Sequence, residues 1–249
     1  MQRFFLEVSY DGTGFSGFQV QQNAVTIQWE VEKALGVLLK EKIVCTGSSR
    51  TDAGVHALQN FFHFDFDGVL PEGLIYHLNA ILPATISAKR IVKVDQTQHC
   101  RFHASSRVYR YDLHSCKDPF LVNRSWFYPY PLDGQALGDA AALVRQTNDF
   151  TSFAKRNADV KTHLCTIYRS EWEKTPGGWS YHVEANRFLR GMVRGLVSTM
   201  LLVGRKKINL EQFKGVVEGR DNQKAVFNAP GHGLFLIKVV YPQDFFPGF

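Results

Sequence analysis

Gly47-Ser48-Ser49-Arg50-Thr51-Asp52-Ala53-Gly54-Val55-His56-Ala57 is the stretch on which the reading of this chain turns. Apolar segments with strand character flank it, Ile43–Thr46 before and Leu58–Phe66 after. It is therefore expected to be a loop on a rigid framework, the usual place for chemistry. Gly47 and Gly54 allow unusual dihedrals and the close approach of a ligand. Arg50 and Asp52 flank Thr51, and Ala53 and Gly54 leave room beside the carboxylate. Two readings stay open on physical grounds. Asp52 closes an Asx-type turn on nearby amides, or it is an accessible carboxylate nucleophile beside a cation.

Outward from this loop the chain alternates strands and helices. Arg3–Tyr10 reads as a strand. Thr26 is placed to cap a helix reaching Lys40, with Ile27, Val31, Leu35, Leu38 and Leu39 at helical spacing. In Leu58–Phe66, Phe62, Phe64 and Phe66 alternate with His63 and Asp65, which predicts one buried face. Pro71–Leu82 is expected to be helical and Ile86–Val94 extended. The second half follows the same style. Val108–His114 is a strand, Asp133–Arg145 a helix, and Leu164–Lys174 with Trp179–Glu184 a hairpin. Arg187–Val203 is expected to be the longest helix, Leu210–Glu218 a short one and Leu234–Tyr241 the last strand. The pattern predicts an α+β protein of two similar halves, 1–104 and 105–249, with helices packed on one face of the sheets. Gly12-Thr13-Gly14-Phe15-Ser16-Gly17 matches a dinucleotide-binding spacing. The next helix starts about nine residues too late to hold a pyrophosphate, so the stretch reads as a tight turn and not as a dehydrogenase signature.

Composition narrows the class further. With 249 residues, 45% of them hydrophobic, the chain can build a large core, and a mostly disordered protein is excluded. No apolar run is long enough to span a bilayer, and the N-terminus lacks the pattern of a signal peptide. Cys45, Cys100, Cys116 and Cys165 are scattered, which fits a reducing cytoplasm rather than a disulfide framework, and no catalytic base is evident beside any of them. His99 and His103 do not share a helix face, so no metal site is expected. A net charge of +6 points only weakly to a polyanionic partner.

The residues of the loop say more by resemblance. Arg50-Thr51-Asp52-Ala53-Gly54-Val55-His56-Ala57 resembles the signature loop of the tRNA pseudouridine synthase A family. Further blocks in the same order carry the likeness along nearly the whole chain. They are Tyr10-Asp11-Gly12-Thr13 with Phe15, Gly17-Phe18-Gln19 and Gln21; Leu78-Asn79-Ala80-Ile81-Leu82-Pro83; His99-Cys100-Arg101-Phe102; Arg107-Val108-Tyr109-Arg110-Tyr111; and Asp149-Phe150-Thr151-Ser152-Phe153. Phe188-Leu189 with Met192-Val193-Arg194, and Gly233-Leu234-Phe235-Leu236, complete them. Four positions depart from the family's pattern: Ser49 for Gly, Phe18 for Trp, and Gln98 and Cys100 for Phe and Ala in Phe-His-Ala-Arg-Phe.

The resemblance implies the pseudouridine synthase fold, with the sheets of two similar halves joined across a central cleft. It implies a homodimeric, cofactor-free enzyme that isomerises uridine in the anticodon arm of tRNA (positions 38, 39 and 40 in tRNA numbering). Asp52 would be the catalytic carboxylate, acting at ribose C1′, at uracil C6 or through a glycal. Tyr109 would stack on the displaced uracil and serve in proton transfer. Arg194 would pair with Asp52. Arg50 and Thr51 would contact substrate, and Leu234 or Leu236 would wall the uracil pocket. A catalytically idle tRNA-binding module on the same scaffold is the alternative. Arg187, Arg190 and Arg194 would lie on one helix face at i, i+3 and i+7. Arg101, Lys155, Arg156, Arg205, Lys206 and Lys207 are the expected contacts to RNA phosphates.

Overall fold

In a computed structural model, which describes residues 1–155 and 161–246, the chain divides into two units. The first holds residues 1–105 and the return of the chain from Leu236, and the second holds 106–235. The first contains β1 (Gln2–Tyr10), α1 (Ile27–Leu39), β2 (Thr46–Gly47), β3 (His56–Phe66), α2 (Leu74–Ile81) and β4 (Ile86–Val94). β1 lies between β3 and β4, antiparallel to both, with Phe5 opposite His63 on one side and Val92 on the other. Thr26 caps α1 as expected, its hydroxyl accepting from the Trp29 amide, and Lys40 closes the helix in the left-handed region. Asn79 pins α2 to β4. Its amide donates to the Ala88 carbonyl and accepts from the Ala88 N–H, both at 2.8 Å.

β3 departs from the expected one-sided burial. Asn60, Phe61, Phe62, His63 and Phe64 are all buried. Phe62 stacks on Phe18 at 4.7 Å and Phe64 on Phe4 at 5.7 Å. On the opposite face Phe61 meets Tyr241 edge-on at 5.3 Å and stacks on Phe246 at 5.7 Å. The residues after the last strand thus cover a face of the first unit with aromatic rings, and much of the phenylalanine content is core of this kind. Ile43–Cys45, expected to be extended, carries no strand, and only Thr46–Gly47 pairs with β3.

The second unit contains β5 (Ser106–His114), β6 (Trp126–Phe127), α3 (Gly134–Gln146), β7 (Ile167–Thr175), β8 (Gly178–Ala185), α4 (Met192–Gly204) and α5 (Leu210–Glu218). β8 pairs antiparallel with β5 and β7, while β6 runs parallel to β5, so the sheet is mixed. Asp133 caps α3 by accepting from the Ala136 amide at 3.1 Å. α3 packs on β7 and against α4 and α5. The final strand, β9 (Leu234–Val240), runs beside β3, with its residues from Leu236 in the first unit. The mixed α+β class is as expected.

The helix expected over Arg187–Val203 is shorter. α4 starts at Met192, after Gly191 at φ +74°, a left-handed residue through which a right-handed helix cannot continue. Arg187 and Arg190 therefore lie outside it, and the expected three-arginine helix face does not exist. At 13 residues α4 equals α1 and α3 in length. α2 likewise starts later than Pro71, behind Gly73 at φ +67°.

Candidate active site

The loop between β2 and β3 is held by a network of buried polar groups in the first unit. Asn60, fully buried on β3, is its centre. The Asn60 amide donates to the Ser49 carbonyl at 2.9 Å and to the Tyr10 hydroxyl at 3.1 Å. Its oxygen accepts from the Ser48 hydroxyl at 2.7 Å and from the Phe61 N–H at 2.9 Å. The Tyr10 hydroxyl lies 2.8 Å from the Thr51 hydroxyl. Burial pushes the Tyr10 phenol up to about 12, against the pull of its bonds to Thr51 and Asn60, so it remains a neutral strut. Within the loop the Val55 N–H donates to the Asp52 carbonyl at 3.2 Å, and Gly54 at φ +75° makes the turn.

A second loop braces the first. Phe18 N–H donates to the Thr51 carbonyl at 3.0 Å, and Gly12 N–H donates to His56 Nδ1 at 3.1 Å. The Phe18 ring lies so close over Gly47 that a Cβ there would come within 2.1 Å of it, which requires glycine at that position. The glycine-rich Gly12–Gly17 stretch is therefore the brace of the Asp52 loop. It turns at Gly14 and Gly17, and the next helix begins only at Ile27. In this setting Thr51 is buried, Asp52 is half-buried and Arg50 is exposed. Ser49 is buried, and its hydroxyl has no hydrogen-bond partner among the described residues.

The second unit holds Tyr109 and Arg194. Tyr109, on β5, is buried and meets Phe188 edge-on at 5.1 Å. Tyr111, two positions along, is fully buried and donates to the Pro230 carbonyl at 2.9 Å, the part of a core tyrosine. Arg194, in the first turn of α4, donates from Nε to the Ala229 carbonyl at 2.6 Å. The Ala229 N–H donates to Ser198 Oγ, which in turn donates to the Arg194 carbonyl, so helix and loop hold the arginine between them. Leu234 is buried. Leu236 is fully so, and belongs to the first unit.

The basic residues divide by environment. Lys206 and Lys207 are exposed, Lys206 pairing with Asp133 at 3.0 Å. Arg205 lies over the Tyr130 ring at 3.7 Å, and Arg101 is exposed beside Phe102. The Lys155 side chain runs against Gly191. Arg156 lies outside the described residues. Arg107 is buried and bonded to the Asn186 carbonyl, and Arg110 is bonded to Asp112; both do structural work.

Sequence reading did not single out Asn60 or Ser48. The available signal was one amide within the apolar run of β3. It also found no base beside a cysteine, whereas Cys100 Sγ lies 3.1 Å from His63 Nδ1.

A family model described as tRNA pseudouridine synthase matches residues 140–242. The protein of Parabacteroides distasonis named tRNA pseudouridine synthase A is 40% identical over 249 residues, covering 99% of each chain. Its namesake from Bacteroides thetaiotaomicron is 42% identical over 252 residues, covering 99% of this chain and 93% of that one. One from Staphylococcus aureus is 37% identical over 245 residues, covering 97% and 93%. With identity at this level along essentially its whole length, the chain belongs to the tRNA pseudouridine synthase A family.

Proposed function

We propose that this chain isomerises uridine to pseudouridine in the anticodon arm of tRNA, with Asp52 as the catalytic carboxylate. The observation that carries the reading is the full-length identity to relatives that bear the synthase name. The bond between uracil N1 and ribose C1′ breaks, a bond between C5 and C1′ forms, C5 loses a proton and N1 gains one. Attack at C1′, addition at C6 and a glycal route all need a carboxylate oxygen within reach of the flipped nucleotide. A half-buried Asp52 on a braced loop suits that need. Tyr109 stacks on the displaced base and assists proton transfer, and Arg194 is the cation for the Asp52 carboxylate. Arg50 and Thr51 orient the substrate, and Leu234 and Leu236 supply apolar wall. Arg101, Lys155, Arg156, Arg205, Lys206 and Lys207 contact phosphates. The enzyme works in the cytoplasm as a homodimer without a cofactor.

The test uses tRNA tritiated at uracil C5. Wild type releases tritium to water, and Asp52→Asn does not while still binding tRNA. Release by both proteins removes Asp52 from the chemistry, and release by neither leaves an RNA-binding module. Sedimentation of the intact protein tests the dimer.

A further inference from the structure

Away from the Asp52 loop, the first unit gathers three side chains from distant parts of the sequence. His63 projects from β3, and His99 and Cys100 follow β4. One ligand atom from each, nitrogen or sulfur, lies within 4.8 Å of the other two. His63 Nδ1 is 3.1 Å from Cys100 Sγ. The Cys100 N–H also donates to that nitrogen at 3.3 Å, so Nδ1 carries its lone pair on the Cys100 side of the ring. The thiol lies 3.1 Å from the Thr46 carbonyl oxygen. His63 and Cys100 are buried, and His99 is part-exposed, which leaves an entry side.

A tetrahedral zinc site with bonds of about 2.0–2.3 Å spaces its nitrogen and sulfur ligands about 3.3–3.6 Å apart, so shifts of roughly 1 Å bring these atoms into place. One thiolate with two imidazoles suits zinc and similar thiophilic divalent ions, and excludes the hard ions that want oxygen. The neighbouring Arg3 charge is matched by Asp65, which takes a two-bond fork from it at 2.8 Å each. We propose that His63, His99 and Cys100 bind one zinc-type divalent ion, with the Thr46 carbonyl or water completing its shell. Binding forms the metal–sulfur bond and releases the thiol proton. The ion fastens β3 to the segment after β4, a structural task separate from uridine isomerisation.

The experiment titrates the intact, metal-stripped protein with Co²⁺ and then Zn²⁺. We expect one equivalent of Co²⁺ with thiolate-to-cobalt charge-transfer absorption, displaced by Zn²⁺, and a rise in melting temperature with Zn²⁺. Cys100→Ala puts in the residue of the family pattern. It abolishes the charge-transfer band and weakens Zn²⁺ binding at least about tenfold, with tritium release unchanged. His99→Gln, at a part-exposed position, gives an independent second weakening. Absence of the band in the folded wild type, or Zn²⁺ binding by Cys100→Ala as tight as by wild type, overturns the proposal.

Discussion

Replacing Asn60 by Ala removes the centre of the network beneath the Asp52 loop. Four hydrogen bonds disappear, those with Ser48, Ser49, Tyr10 and Phe61. Each contributes about 1 kcal/mol net, and the partners are buried, so none is cheaply rehydrated. The expected loss is about 3–4 kcal/mol, a large part of a typical total of about 5–15 kcal/mol but not all of it. The folded variant therefore remains measurable. Thr51→Val, which breaks only the Tyr10–Thr51 link, should cost about 1 kcal/mol and serves as the graded control. Urea unfolding followed by circular dichroism gives both values. In the same preparations, kcat for tritium release should fall about 100-fold in Asn60→Ala, because a shift of about 1 Å in a reacting group costs that much. A loss below about 1 kcal/mol, or a full loss of stability with kcat intact, would refute the idea that Asn60 positions the loop.

Gly12→Ala places a Cβ 2.1 Å from the Val55 carbonyl oxygen, a backbone atom that cannot yield. It should cost at least about 2 kcal/mol and lower the melting temperature by about 4–8 °C by calorimetry. Ser49→Ala removes a buried hydroxyl without a partner among the described residues, and should raise the urea midpoint by an amount equivalent to about 1 kcal/mol. The Asp149 carboxyl is held below its ordinary value, first by the Thr151 hydroxyl at 2.6 Å, with the Thr151 N–H and Arg220 adding to it. Because the folded value is the lower one, its stabilisation is complete above about pH 4 and is lost as pH falls through the folded value. The stability gap between wild type and Asp149→Ala, read from urea midpoints, should close over that acid range and stay constant near neutrality.

What could be read from the sequence follows from which physical effects are local. α1 was legible because its cap, Thr26, and its apolar spacing sit side by side in the chain. α4 was misjudged at its start because apolar spacing carries no information on φ, and Gly191 decides the matter by turning left-handed. The two-sided burial of β3 was invisible for a different reason. Phe61 and His63 alternate with the Phe62–Phe64 face and look like solvent-facing positions until Tyr241, Phe246 and the Cys100 segment cover them. The bonds of Arg107 to the Asn186 carbonyl and of Arg110 to Asp112 are equally hidden in the sequence, the first because its partner lies far along the chain and the second because only the side-chain conformation brings the two groups together. Asp52 itself stood out through its loop, since a motif of contiguous residues survives in sequence where a constellation assembled by folding does not.

The discontinuity of the first unit sets a timetable for biosynthesis. Its strand β3 lacks the neighbour β9, and its Phe5–Phe61 face lacks Tyr241, Phe245 and Phe246, until the 130 residues of Ser106–Phe235 have been translated. At about 5–20 residues per second that wait is roughly 7–26 s. During it the nascent chain carries a bare strand edge beside an uncovered aromatic face, the combination that invites wrong pairing. A ribosome that stalls between the two units leaves an N-terminal fragment unable to close its own core, and so a natural client for chaperones rather than a half-enzyme.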